Sequence, residues 1–159
     1  MDIPDLVGRQ AITHHLVTAA DTAEAAGSGS LPVLGTPRLI AWLEGATCAA
    51  IDSELGAGLT SVGTRVEIEH LAATAVGGEI ACTATVMRQS TRSLSYAVTA
   101  VDSHGTDVGR GTIARVVVDA ERFLSRLPRR AAESMYLATR TWAMGTSNRM
   151  SQMPRVLRG

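Results

Sequence analysis

The sequence predicts an α+β fold in which an antiparallel sheet wraps around one long central helix. Three observations predict it. A Thr-Pro start, one apolar stripe and a glycine stop mark a single long helix between residues 36 and 56. Four β-rich segments follow it with only short turn-like links, and short links favour antiparallel neighbours. One strand-like segment precedes the helix, so the order is strand, helix, then four strands, which points to α+β.

The elements follow in order. "AITHHLVT" (11–18) alternates and is rich in β-formers, as a first strand should be. Asp21 stands where it can cap a short helix, "DTAEAAG", ended by Gly27. "GSGSLP" reads as loop. "GTPRLIAWLEGA" (35–46) opens the central helix, with Thr36 as N-cap and Pro37 at the first helical position, where a missing N–H costs nothing. The helix is expected to run to about Leu55 and to stop at Gly56.

At about 100° per residue from Leu39, Leu43, Ala46 and Ala50 fall within about 40° of it, and Ile40, Thr47 and Ile51 at about 80–120°. Arg38 and Asp52 lie opposite. Glu44 falls near ~140°, on the border of the buried stripe rather than in the solvent sector.

The four later strands are expected at 61–70, 78–88, 93–103 and 107–119, separated by "AVGG", "RQSTRS" and "SHGTD". In "SVGTRVEIEH" a period of two puts Val62, Thr64, Val66, Ile68 and His70 on one face. Gly63, Arg65, Glu67 and Glu69 share the other, which is charged, so the first set should face inward. His70 is then the last inward residue of its strand. Gly63 marks a bulge or a close backbone approach. "GRG" at 109–111 lies inside the last strand.

Composition bounds the function. The chain has 159 residues, 45% of them apolar, which suits one globular domain with a real core. The net charge is zero, giving no global pull toward nucleic acid or membrane. No apolar run approaches the roughly 20 residues of a spanning helix, and "MDIPDLVGRQ" lacks the order of a signal peptide. The expectation is a cytoplasmic protein. Cys48 and Cys82 match no zinc spacing and read as buried thiols. All fifteen basic residues are arginine. Residues 128–159 hold six Arg against one Glu, so a basic extension is expected to follow a domain spanning 1–127. Within it, Met135, Ala138, Thr139 and Trp142 fall on one face of a possible helix, and the end is turn-rich, so the extension is expected to be partly helical or disordered.

Two side chains carry chemistry. Glu44 and His70 each sit at the edge of the apolar surface, on elements that must pack together or meet across a dimer interface. A partly desolvated carboxylate near an imidazole suits acid–base or nucleophilic work. Each residue alone has a plainer reading. Glu44 reads as a rim carboxylate, His70 as a satisfied core histidine, Thr36 as a cap. His14, His15 and His104 have no carboxylate or Cys at ligand spacing and read as surface or packing residues. There is no Gly-rich phosphate loop after a strand and no nucleophile elbow.

Taken together, "VLGTPRLIAWLE", "GLTSVGTRVEIEHLAAT" and "GRGTIARVVVDAERF" resemble the fluoroacetyl-CoA thioesterase type of hotdog-fold protein over about residues 10–127. The resemblance implies a hotdog fold, a homodimer and hydrolysis of an acyl-CoA or acyl-carrier-protein thioester. It implies a site at the dimer interface with Thr36, Glu44 and His70 as catalytic residues, and with Gly63, Thr64 and Arg115 near the substrate. No cofactor or metal is implied beyond the coenzyme A thioester itself. Glu44 would attack the thioester or activate a water, with His70 relaying the proton and Thr36 bonding to the carboxylate or substrate. Backbone N–H groups near Gly63 or at the helix N-terminus would receive the oxyanion. Arg115 would meet the CoA phosphates or close a salt bridge. The segment before Thr36, "AAGSGSLPVLG", lacks the bulky apolar lid of the fluoroacetate-specific member, which suggests a larger acyl group. The extension would pack on the dimer surface as an extra helix, cover the site, or dock on an acidic carrier protein. The same side chains also suit a hotdog dehydratase, isomerase or cyclase acting on a thioester-bound intermediate, or an acyl-CoA-binding protein without turnover.

Overall fold

In the computed structural model, which describes residues 3–128, the sheet is built from β1 (Gln10–Leu16), β2 (Leu59–His70), β3 (Glu79–Ser90), β4 (Ser93–Asp102) and β5 (Asp107–Asp119). The helices are α1 (Ala23–Ala26), α2 (Thr36–Ala49) and α3 (Ala120–Ser125). The described residues up to Arg122 form one compact unit. The basic extension expected from 128 and its stripe from Met135 to Trp142 lie outside the described residues, Pro128 excepted.

All strand pairs are antiparallel, in the order β1-β3-β4-β5-β2, so β1 and β2 are the edges. α2 packs across one face. Its buried stripe is the one the periodicity sets out: Leu39, Leu43 and Ala46 are fully buried, Ala50 nearly so, and Thr47 and Ile51 close the flank. They meet Ile80, Cys82, Ala84 and Val86 of β3, Leu94, Tyr96 and Val98 of β4, and Ile113 and Val117 of β5. Each large aliphatic in this layer contributes about 1.5–3 kcal/mol. β3 and β4 alternate strictly between buried and half-buried over their central residues, as a sheet with one covered face must.

Four local expectations are corrected. α2 is capped by Gly35, and Thr36 and Pro37 are its first two residues. A Cβ at Gly35 would come within 3.1 Å of the Ala23 backbone, so glycine eases the close passage of the chain by α1. The Gly35 N–H donates to the Asp21 carbonyl at 2.9 Å. α2 ends at Ala49, and a 3₁₀ turn, Asp52–Glu54, keeps Ile51 buried beyond the helix. α1 is capped by Thr22, which accepts from the Ala25 N–H, rather than by Asp21. The Asp21 carboxylate instead accepts from the Thr18 N–H and hydroxyl and pairs with Arg38 at 2.9 Å. Those Thr18 bonds, chiefly, hold its pKa below the usual carboxylate value.

The fourth correction concerns β2. Its pairing with β5 runs Gly63↔Arg115 and then Arg65↔Ala114, so Thr64 is the extra residue of a bulge. A bulge shifts the alternation by one residue. Ser61 and Gly63 therefore share the helix-facing side with Arg115 and Val117. Beyond the bulge that side passes to Val66, Ile68 and His70. Val62 and Thr64 do not belong to the inner face, whereas Ile68 and His70 do.

Gly109 and Gly111 have steric reasons. A Cβ at Gly109 would sit 2.9 Å from Leu39 Cδ2, and one at Gly111 would strike the Glu67 carbonyl across the strand pair. Both let β5 lie tightly between α2 and β2. Among the described residues no helix is long and apolar enough to cross a membrane.

Candidate active site

α2 and the edge strand β2 run in opposite directions along a common seam, and two clusters of functional side chains lie on it.

The first joins the start of α2 to the end of β2. Because Gly35 caps the helix, the Thr36 hydroxyl is free of capping duty, and it shares a 2.8 Å hydrogen bond with His70 Nδ1. Burial pushes the His70 pKa below its ordinary value, with the Ala72 backbone opposing this. The ring is therefore neutral at neutral pH. His70 Nε2 is buried with no hydrogen-bond partner among the described residues. Thr36 and His70 line a cavity of about 470 Å³ between the 28–34 loop and residues 70–73. Bridges Thr22↔Leu34 and Val33↔Ala75 tie that loop down on both sides.

The second cluster lies two helical turns along α2. Arg115 is 7% exposed. Its Nε donates to Ser61 Oγ at 2.8 Å and its Nη2 to the Ser61 carbonyl at 2.9 Å. Nη1 is then 3.6 Å from Glu44 Oε1. Glu44 is half-buried at the stripe's border. A Cβ at Gly63 would lie 2.5 Å from Glu44 Oε1, so the glycine is the space the carboxylate occupies.

The structure thus brings Thr36 to His70, and Glu44 to Gly63 and Arg115. It does not bring the two sets together within one chain, since eight residues of helix separate Thr36 from Glu44 by about 12 Å. Thr64 belongs to neither set: it is exposed in the bulge, and its hydroxyl donates to the Ala114 carbonyl at 3.2 Å. Ser61 is the residue sequence reasoning missed. The signal was Gly63 two positions on, once that glycine is read as facing inward.

Elsewhere, His15 stacks on Trp42 with ring centroids 4.6 Å apart. Cys82 is buried, its thiol pushed up to about 12 by desolvation, and Cys48 is half-buried; both are free thiols. Among the described residues no cluster of three His, Cys, Asp or Glu side chains is placed to hold a metal.

Comparison with known proteins follows the same outline. The family model of the fluoroacetyl-CoA-specific thioesterase matches residues 17–121. No curated protein matches. The structure of the fluoroacetyl-CoA thioesterase FlK is similar, with a TM-score of 0.71 and 27% identity over 77% of this chain and 97% of that one. A hot-dog-like protein from Thermanaerovibrio acidaminovorans gives a TM-score of 0.69 and 28% identity over 76% of this chain and 88% of its own. A thioesterase superfamily member from Thermus thermophilus gives 0.72 at 23% identity, over 86% and 98%, and so speaks for the fold alone.

Proposed function

The chain belongs to the fluoroacetyl-CoA-specific thioesterase family, and from that premise we propose that it hydrolyses an acyl-CoA thioester at a site made along the α2–β2 seam of a homodimer. The observation that carries the reading is the Thr36–His70 hydrogen bond at the wall of the 470 Å³ cavity. A hydroxyl held on a neutral imidazole beside an uncharged pocket is a place to bind an acyl thioester and to handle one proton.

In this reading the thioester carbonyl sits at Thr36 and His70. His70 takes the proton of the attacking water and returns it to the departing thiolate. The carbonyl carbon gains one C–O bond and loses its C–S bond, leaving free acid and CoA. Glu44 supplies the negative charge or the attacking oxygen, aimed by Arg115, which Ser61 holds in turn. An N–H at the start of α2 takes the developing oxyanion.

A second chain completes the site. β2 is a 12-residue edge strand with one hydrogen-bonding side unpaired among the described residues. Long open edges attract strands. Pairing of β2 with a second β2 would carry Glu44 of one chain toward Thr36 and His70 of the other.

Complementation tests this. Glu44→Gln and His70→Ala are each expected to lower kcat/KM for an acyl-CoA by about a hundredfold or more. Co-expressed, they should recover about a quarter of wild-type activity, since half the dimers are mixed and each mixed dimer holds one intact site. No recovery, with mixed dimers present, would place all three residues in one chain's site. No thiol release by the wild type would remove the hydrolase reading.

A further inference from the structure

We infer that Tyr96 is a positioning residue for the reaction: its buried hydroxyl holds the Arg115 guanidinium toward Glu44 through an enclosed water. The inference rests on the thioesterase reading above, in which Arg115 aims the carboxylate, and adds a side chain that lies beneath the seam.

Tyr96 is the largest of the fully buried side chains, at 0% exposure. It stands on the helix-facing side of β4, opposite Ile113 of β5, with Leu94 opposite Arg115. Arg115 is therefore its diagonal neighbour on the same face, a spacing that long and aromatic side chains bridge. The ring belongs to the core layer beneath α2. Its Oη finds no hydrogen-bond partner among the described residues. A phenylalanine would fill the same apolar space without that cost, since a buried hydroxyl left unpaired disfavours the folded chain. Buried polar groups that the chain itself does not satisfy are typically met by ordered water.

The surroundings put that water on the Arg115 side. Burial pushes the phenol pKa well above its ordinary value, so the group stays a neutral O–H; Arg115 opposes the rise, while Cys48 and Asp52 add to it. The hydroxyl thus lies among Arg115, the last turn of α2 and the 3₁₀ turn after it. Arg115 has a donor to give there. Its Nε and Nη2 donate to Ser61, whereas Nη1 reaches Glu44 Oε1 only at 3.6 Å, beyond a direct hydrogen bond. A water that accepts from Nη1 and from the Tyr96 O–H satisfies both donors at once. It keeps its own hydrogens for acceptors at the end of α2, where the last carbonyls receive no helical N–H. Held by Ser61 on one side and by this water on another, the guanidinium is left facing Glu44.

Tyr96→Phe removes the hydroxyl and keeps the ring. On an acyl-CoA that the wild type hydrolyses, kcat should fall about tenfold with KM within about twofold, because the guanidinium is loosened rather than lost. In an Arg115→Lys background the same change should cost less than about twofold, since the group it acts through is gone. A packing role alone would lower Tm and leave kcat in place. Wild-type kcat in Tyr96→Phe, or a fall that persists in full beside Arg115→Lys, overturns the positioning role while leaving the hydrolase standing. If the wild type releases no thiol from any acyl-CoA, the hydrolase reading falls by itself, and a crystal structure of the wild type together with thermal melts decides the rest. An ordered water within hydrogen-bond reach of both Tyr96 Oη and Arg115 Nη1, with a Tyr96→Phe loss of Tm that disappears beside Arg115→Lys, upholds the anchor. A Tyr96 hydroxyl bonded away from the guanidinium, or a Tyr96→Phe Tm equal to or above that of the wild type, removes it.

Discussion

Gly63→Ala isolates the position of one carboxylate. The added Cβ would lie 2.5 Å from Glu44 Oε1, whereas ordinary contact begins at 3.4 Å, and its next neighbour, Arg115 Nη1, is comfortable at 3.8 Å. The carboxylate must therefore retreat by about 1 Å. It can, because it is the end of a flexible side chain rather than backbone. Gly63 has no left-handed conformation to lose, and Gly→Ala at a compatible position gains about 0.4–1 kcal/mol through the unfolded chain. The variant should melt within a few degrees of wild type. A displacement of about 1 Å at a reacting group costs about a hundredfold in rate. The assay pairs thiol release on the best acyl-CoA with a thermal melt. A hundredfold fall in kcat/KM at unchanged Tm is the expected result. Wild-type turnover would mean that Glu44's placement does not matter to the reaction. A large drop in Tm would mean that the strand, not the carboxylate, gives way.

Other variants separate structural duty from chemistry. Thr36→Ala should cost less than about 0.5 kcal/mol in urea melts, since Gly35 caps α2, yet lower kcat/KM by about a hundredfold or more through the lost His70 contact. Ser61→Ala leaves the buried Arg115 Nε without its partner and should cost about 1–3 kcal/mol by the same melts. Its rate should fall with that of Arg115→Lys, because the first loosens the guanidinium beside Glu44 and the second removes it. Gly111→Ala meets backbone at the Glu67 carbonyl and cannot relax, so a loss of about 2 kcal/mol or more is expected in denaturant titration. For His70, burial lowers the folded pKa below the unfolded 6.5. Its stabilising share is complete above pH 6.5 and declines as pH falls toward the folded value, because the unfolded chain takes the proton first. The acid limb of kcat/KM assigned to His70 should lie below 6.5, and a limb above it would contradict the buried, neutral ring.

What the sequence made legible was whatever depends on short-range periodicity. Leu39, Leu43 and Ala46 define the helix face by themselves, and Glu44's border position follows from them. The strand limits came from turn residues between alternating runs. The errors came from contacts between residues distant in sequence. Thr36 is a good cap by type, but the close passage of α1 gives that place to Gly35. Leu55 continues the apolar run, but the helix has already ended, and a 3₁₀ turn keeps Ile51 inside. The bulge at Thr64 was the costliest to miss. A period of two has no memory of an inserted residue, so every position before it was assigned to the wrong face. That error hid Ser61 and placed Gly63 away from Glu44.

The same bulge explains why this strand carries so much of the site. A regular β2 with His70 facing α2 would put Val62 and Thr64 toward Glu44, and neither leaves room for a carboxylate beside Arg115. Inserting Thr64 turns Ser61 and Gly63 inward while His70 keeps its orientation at the far end. One extra residue thus lets a single strand offer a guanidinium anchor and a gap at its start and an imidazole at its end. The bulge also stands in the middle of a long open edge, where local twist restricts which strands can pair with it. In the proposed dimer a second β2 would bring the same irregularity to that edge. The residue that shapes the carboxylate's niche would thus also stand on the edge where the second chain pairs.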